Sequence, residues 1–297
     1  MTIRWGVSPI AWSNDDMPEL GGATTLETLL TEVRDIGFDG VELGNKFPRD
    51  AATLGPIMAR HDLALIGGWY GSQLLRCDAD AEIEALQPHL ALLRAMGSEV
   101  FIIAETSNAV HGDRASRLDR HPVLDAADWP GFGQRLNGVA AHVRDAGLRL
   151  AYHYHLGTVV ETEAELRRLI DVTDDMVGLV VDTGHAVYGG IDPAALVREH
   201  PERVAHVHCK DVRRVVQRQI HASGRSFLDG VIEGMFTVPG DGDYDFAPFF
   251  GALAATAYNG WIVVEAEQDP GIADPRQYQQ VGLDTVKRLA RQAELTV

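Results

Sequence analysis

Three short stretches place possible metal ligands and proton carriers at the ends of apolar runs: V-V-D-T-G-H (180–185), R-V-A-H-V-H-C-K-D (203–211) and W-I-V-V-E-A-E (261–267). The runs end on Asp182, on His206 and His208, and on Glu265 with Glu267 two residues later. A fourth run closes in Y-H-Y-H, and the two-residue period of a strand puts His153 and His155 on one side. Each residue alone has an ordinary explanation. Asp182 or Thr183 suits a helix N-cap, a histidine at a strand end is commonly a hydrogen-bonded structural residue, and a glutamate there can pair with a lysine. Four polar ends on consecutive strands are harder to explain one at a time, because every buried charge needs its own partner. One shared cation satisfies all of them. Mixed imidazole and carboxylate ligands suit Mn, Co, Fe or Zn, whereas Mg or Ca would favour oxygen ligands alone.

These ends can converge only if the strands lie side by side. The sequence alternates β-rich runs (Ile3–Ser8, Gly40–Leu43, Ala64–Gly67, Val100–Ala104, Arg149–Tyr154, Val177–Asp182, Val204–Cys209, Trp261–Glu265) with helical periodicity over 24–36, 50–61, 78–96, 131–146, 162–172, 193–200, 245–256 and 275–292. Strict alternation predicts parallel strands joined by crossover helices. Eight such units predict an α/β fold, a (β/α)8 TIM barrel, as a single domain over residues 1–297. An open doubly wound sheet would be the alternative, but no G-x-G-x-x-G follows the first strand. Gly37 and Gly147, each between a helix and a strand, suit the left-handed position past a helix end.

Two connections exceed ordinary loop length, 105–130 after strand 4 and 210–244 after strand 7. In a barrel both lie on the face that carries active sites. The first reads as a lid. The second is expected to hold helix of its own, and its Arg213, Arg214, Arg218, His221 and Arg225 are read first as structural pairing or a subunit contact, and second as steering for an anion.

The chain carries a formal net charge of −17 and a pI near 5.0, which argues against nucleic acid and against an anionic membrane surface. Cys77 and Cys209 are too few for a disulfide framework. The first residues contain no apolar stretch of signal-peptide length, and no segment approaches the ~20 apolar residues of a membrane helix. The expected location is cytoplasmic.

V-D-T-G-H, H-V-H-C-K-D, P-G-D-G-D-Y-D-F (239–246) and Y-N-G-W-I-V-V-E-A-E-Q-D (258–269) resemble the xylose-isomerase-like TIM barrels of sugar isomerases and epimerases. Within that superfamily, G-V-S-P-I-A-W-S-N-D-D (6–16), Y-H-Y-H-L-G-T-V-V-E-T (152–162) and S-F-L-D-G-V with G-M-F-T-V-P-G-D-G (226–242) resemble the inosose dehydratase family, over essentially the whole chain. The resemblance implies a divalent metal, Mn or Co first with Zn or Fe as alternatives, and the ligands Asp182, His208 and Glu265. Related epimerases carry a glutamate where this chain has His153. His153 is therefore the expected fourth ligand, with Glu161 as the alternative.

The implied reaction removes water from 2-keto-myo-inositol, a cyclic polyol ketone, to give a trihydroxycyclohexane-dione in inositol catabolism. One group takes the proton beside the carbonyl and another protonates the departing hydroxyl. The candidates are His155, His185, Lys210 and Glu267, and Lys210 could act as a base only with a lowered pKa. Trp12, Asn14, Asp15, Glu42, Trp69 and Tyr70, at the ends of strands 1 to 3, are expected to face the polyol, with core packing as the rival role for Trp12 and Trp69. A ketose isomerase or epimerase using the same metal is the closest alternative. A barrel nuclease with an H-x-x-D segment is opposed by the charge, and a non-catalytic polyol-binding protein by the intact ligand set. A homo-oligomer is compatible with the sequence.

Overall fold

The computed structural model describes residues 3–295. Its strands are β1 (Arg4–Val7), β2 (Gly40–Leu43), β3 (Ala64–Ser72), β4 (Val100–Glu105), β5 (Arg149–His153), β6 (Gly178–Asp182), β7 (Val204–Cys209), β8 (Asp211–Val212), β9 (Phe236–Thr237) and β10 (Trp261–Val264). The helices are α1 (Leu26–Ile36), α2 (Ala51–His61), α3 (Ala79–Ala95), α4 (Trp129–Asp145), α5 (Glu163–Val172), α6 (Thr183–Gly189), α7 (Pro193–Glu199), α8 (Arg214–Ser223), α9 (Phe227–Ile232), α10 (Ala247–Ala255) and α11 (Pro275–Gln292). Eight strands close a parallel barrel in the order β1-β10-β7-β6-β5-β4-β3-β2, while β8 and β9 form a separate antiparallel pair. This is the expected (β/α)8 architecture. Gly37 and Gly147 end α1 and α4 with φ of 99° and 92°, a conformation costly for any residue with a Cβ.

Why the strands form is legible in their burial. All positions of β2, β4, β6 and β10 are buried, as a parallel strand between a filled barrel and a helical shell requires. Inside the barrel, Val100, Ile102, Ala151 and Val180 make one plug, and Ile66, Trp261 and Val263 another. The main core lies between strands and helices.

One barrel strand departs from expectation. β3 runs on to Ser72, which carries Trp69 and Tyr70 inside a strand and sends them to opposite faces. The turn after Asp182 is the first turn of a helix, α6, as the N-cap reading of Asp182 expects.

The long connections build a roof over the barrel mouth. The second contributes α8, α9 and the β8–β9 pair. Leu118 from the first joins Met17, Leu156, Val212, Ile220, Phe227, Leu228, Val231, Met235 and Phe236 in a cluster separate from the barrel core. The first connection is held down by Leu118 N–H on Arg225 O (2.7 Å), by Arg114 on Asp229 (3.0 Å) and by His121, which sits 2.9 Å from Glu165 and 3.3 Å from Glu161. Arg213 binds Gly234 O, Thr237 and Asp241, and Arg225 pairs with Glu233 and Asp229, so both arginines brace the roof.

Candidate active site

Adjacent strands set the ligands side by side. Asp182 and His208 are register partners across β6 and β7, and Val263 of β10 pairs with His208, which brings Glu265 just past the strand end. His153 closes β5. Ligand atoms of His153, Asp182, His208 and Glu265 all lie within 4.8 Å of one another.

Asp182 reconciles its two readings by dividing its oxygens. Oδ1 accepts His185 N–H at 2.9 Å as the N-cap of α6. Oδ2 makes no hydrogen bond although fully buried, and faces His153 Nε2 and His208 Nδ1, each at 3.6 Å. His208 Nδ1 and Glu265 Oε2 are also buried without a hydrogen bond, 2.8 Å apart. On the far side of its ring, His208 donates Nε2–H to Glu42 Oε1 (2.9 Å), which His206 Nε2 also reaches (2.8 Å). His153 donates Nδ1–H to Tyr154 O at 2.7 Å, which leaves Nε2 free on the cavity side. Metal-binding histidines are typically oriented in this way, through the ring nitrogen that does not coordinate.

The charge balance points the same way. Glu42, Asp182, Glu265 and Glu267 are buried together with one buried ammonium, Lys210. Burial works against a charged His208, yet Glu42 and Glu265 hold it well above the ordinary imidazole range, so the site attracts a positive charge. A dication held by two carboxylates and two imidazoles matches that demand, and the unpaired lone pairs fit it.

Next to the quartet, His155, His185 and Glu267 form a second group. Lys210 fills its centre: Nζ pairs with Glu267 and lies 3.0 Å from His185 Nε2, 3.3 Å from Glu265 and 3.6 Å from Asp182. Burial opposes the Lys210 charge, but Asp182, Glu265 and Glu267 outweigh it and keep the ammonium protonated. That direction is opposite to the lowered pKa a lysine base would need. Burial pushes His155 and His185 well below the usual imidazole range, with neighbouring His185 and His111 adding to the effect on His155 and Lys210 to that on His185. His155 gives Nδ1–H to Leu156 O (2.8 Å), so its Nε2 carries the lone pair. Phe227 and Phe236 of the roof cover the group, with ring centres 5.4 Å from His155 and 5.2 Å from His185.

The expected residues of strands 1 to 3 divide. Asp15, Glu42 and Trp69 line the cavity together with Asp16 and His111. Trp12 does not; it is buried in the core and donates to Glu32 at 2.7 Å. Asn14 is fully buried, and its Oδ1 accepts the N–H groups of Asp16 (2.9 Å) and Met17 (2.8 Å). Tyr70 turns to the helical side and donates to Glu82 at 2.7 Å. Consecutive residues of a strand cannot share a face, so Trp69 and Tyr70 could not both have faced the polyol. Glu42 lines the cavity but is tied to His206 and His208. Glu161 is placed away from the quartet, accepting Gly157 N–H at 2.6 Å.

Sequence reasoning missed Asp16 and His111, which no local spacing links, and Asp211. The Asp211 carboxylate accepts backbone N–H groups from Val212, Gly240, Gly242 and Tyr244 at 2.8–3.1 Å. It folds P-G-D-G-D-Y back on β8, directly after the strand that carries His208, which gives that motif a structural meaning.

A family model for xylose isomerase-like TIM barrels matches residues 30–289. The rhizopine catabolism protein MocC of Rhizobium meliloti is 45% identical over 99% of this chain and 90% of its own. An inosose dehydratase of Lacticaseibacillus casei is 41% identical over 94% of each chain, and one of Clostridium perfringens 39% identical over 93% and 94%. Among solved structures, an L-ribulose 3-epimerase superposes with TM-score 0.68 at 19% identity over 99% and 96% of the two chains. A probable 3-DHS dehydratase, AsbF from Bacillus anthracis, gives 0.69 at 11% over 96% and 98%. These structural likenesses speak for the fold alone.

Proposed function

Since the chain belongs to the xylose isomerase-like TIM barrel family and, within it, to the inosose dehydratase family, we propose that it dehydrates 2-keto-myo-inositol using a divalent metal, Mn or Co, held by His153, Asp182, His208 and Glu265. The observation that carries this reading is the convergence of four buried side chains, with Asp182 Oδ2, His208 Nδ1 and Glu265 Oε2 making no hydrogen bond, beside a cluster that holds a protonated lysine. A divalent ion there supplies Lewis acidity to a ketone oxygen.

The protein's own groups handle the protons. His155 Nε2 takes the proton from the carbon next to the carbonyl, and the C–H electron pair becomes part of the ring enolate. That enolate expels the β-hydroxyl with its C–O pair. Lys210, pressed between His185 and Glu267, protonates the leaving oxygen, which departs as water. Phe227 and Phe236 keep solvent from the proton-transfer group, and Trp69, set edge-on to His153 and His155 at 5.3 and 5.4 Å, offers an apolar wall to the carbocycle.

Incubating Mn- or Co-loaded protein with 2-keto-myo-inositol should yield a product lighter by one water, with diketone absorbance. A ketose epimerase on the same site would instead exchange the proton beside the carbonyl with solvent deuterium and lose no water. Exchange without dehydration would replace the first reading with the second.

A further inference from the structure

We propose that Asp16 and His111 form a hydroxyl-recognition pair at the rim of the site, grasping the edge of the substrate ring remote from the metal ligands. This rests on the cyclic polyol reading above. The two residues come from different loops, Asp16 from the segment after β1 and His111 from the first roof connection, and both line the cavity. His111 Nε2 and Asp16 Oδ1 are 4.0 Å apart, with side-chain exposures of 14% and 29%. That gap is too wide for a direct hydrogen bond. A hydroxyl oxygen about 2.8 Å from each atom spans it as the apex of a near-right-angled bridge. The chemistry also matches: a hydroxyl donates to the carboxylate and accepts from the ring N–H at once. An amide or ether oxygen cannot do both.

Both members are built into position. Asn14 Oδ1 takes the Asp16 and Met17 N–H groups and fixes the turn. On the other side Val110 N–H bonds Gly157 O at 2.8 Å. Gly157 has φ +75°, and a Cβ there would come within 2.8 Å of His111 N. The glycine of Y-H-Y-H-L-G therefore lets the roof backbone settle against the histidine strand. The imidazoles run inward from the rim, His111 to His155 (4.9 Å between centres), then His155 to His153 (5.5 Å). A six-membered ring lying along this row reaches the ligand quartet with one edge and the rim pair with the other. The roof thereby contributes to substrate choice as well as to enclosure.

Calorimetric binding of 2-keto-myo-inositol, with kcat and KM measured in parallel, tests the pair. Asp16→Ala and His111→Ala should each weaken binding and raise KM about tenfold or more, the worth of one charge-assisted hydrogen bond, with a smaller change in kcat. The double variant should fall little further, because one hydroxyl bridges both. His111→Gln, which keeps a donor, should recover part of the loss, and melting temperature and metal stoichiometry should stay near wild type. Singles that bind like wild type, or losses that multiply in the double variant, overturn the pair. A loss tracked by melting temperature and not restored by His111→Gln assigns His111 to roof packing and also overturns it. Wild-type binding without dehydration, sensitive to both variants, supports the pair and removes only the dehydratase reading. A wild type that does not bind the inosose overturns both.

Discussion

Two clusters of the same residue types stand side by side at the barrel mouth, and they differ in what occupies their centres. His153, Asp182, His208 and Glu265 face one another, and Asp182 Oδ2, His208 Nδ1 and Glu265 Oε2 make no hydrogen bond there. His155, His185 and Glu267 form the other cluster, and its His185 and Glu267 hold the Lys210 ammonium. Imidazoles and carboxylates at strand ends therefore do not define a metal site by themselves. On the proposed reading, the cluster that holds a covalently attached cation moves the protons, while the quartet, which only shares that ammonium through Asp182 and Glu265, takes up an ion from solution.

The sharpest way to break this contrast is Asp182→Asn. Asparagine keeps an oxygen for the α6 cap but removes the charge from the quartet. Mn or Co affinity, read by calorimetry, should drop by more than the 10–100-fold typical of outer-shell losses, with melting temperature nearly unchanged in metal-free protein. Equal affinity would mean that the quartet is not the metal site. Lys210→Ala should cost about 10²–10⁴-fold in kcat, the usual worth of a general acid. It should also open the second cluster, so that metal stoichiometry rises from one to two. A stoichiometry that stays at one would deny that the lysine stands where a cation could bind.

Glu42→Gln removes the charge behind His208 without touching the quartet. Metal affinity should fall about 10–100-fold, checked by chelator competition. The smallest effect is expected at His121, a histidine–carboxylate pair like those at the centre but on the roof. Its hydrogen bond to Glu165 raises its pKa against the effect of burial. Protonation then favours the folded state. The contribution is full below the unfolded value of about 6.5 and fades as pH rises through the higher folded value. Relative to His121→Asn, wild type should gain about 1 kcal/mol or less at pH 6 and nothing near pH 9 in thermal denaturation, whether or not metal is bound. Dependence on metal would erase the distinction between rim and centre.

Much of this arrangement was legible because barrel strands announce themselves as apolar runs and their last residues must meet on one rim. That rule places His153, Asp182, His208 and Glu265 on one rim, and the structure brings their ligand atoms within 4.8 Å of one another; the roles expected of them, and of His155, His185, Lys210 and Glu267, come from the family resemblance. What the chain could not disclose was direction. Tyr70 follows Trp69 and points the other way because β3 is five residues longer than its apolar run suggested. Asn14 has the right chemistry for a sugar hydroxyl, yet its carbonyl oxygen is taken by two backbone N–H groups. Glu42, on β2, is separated from β7 by β1 and β10 and bonds a histidine more than 160 residues away. Asp16 and His111 meet only because two loops converge, and no periodicity encodes that.

The roof has its own apolar centre, apart from the one that holds the barrel together. Cooperative opening can accordingly be confined to the roof: Leu118, Phe227 and Phe236 can part while the eight strands keep their pairing. Such sub-global release costs less than global unfolding, and amide exchange in 106–128 and 213–236 should proceed without exchange in the strands. Passage of a ring-shaped guest in and out of the mouth would then be timed by the breathing of this small cap.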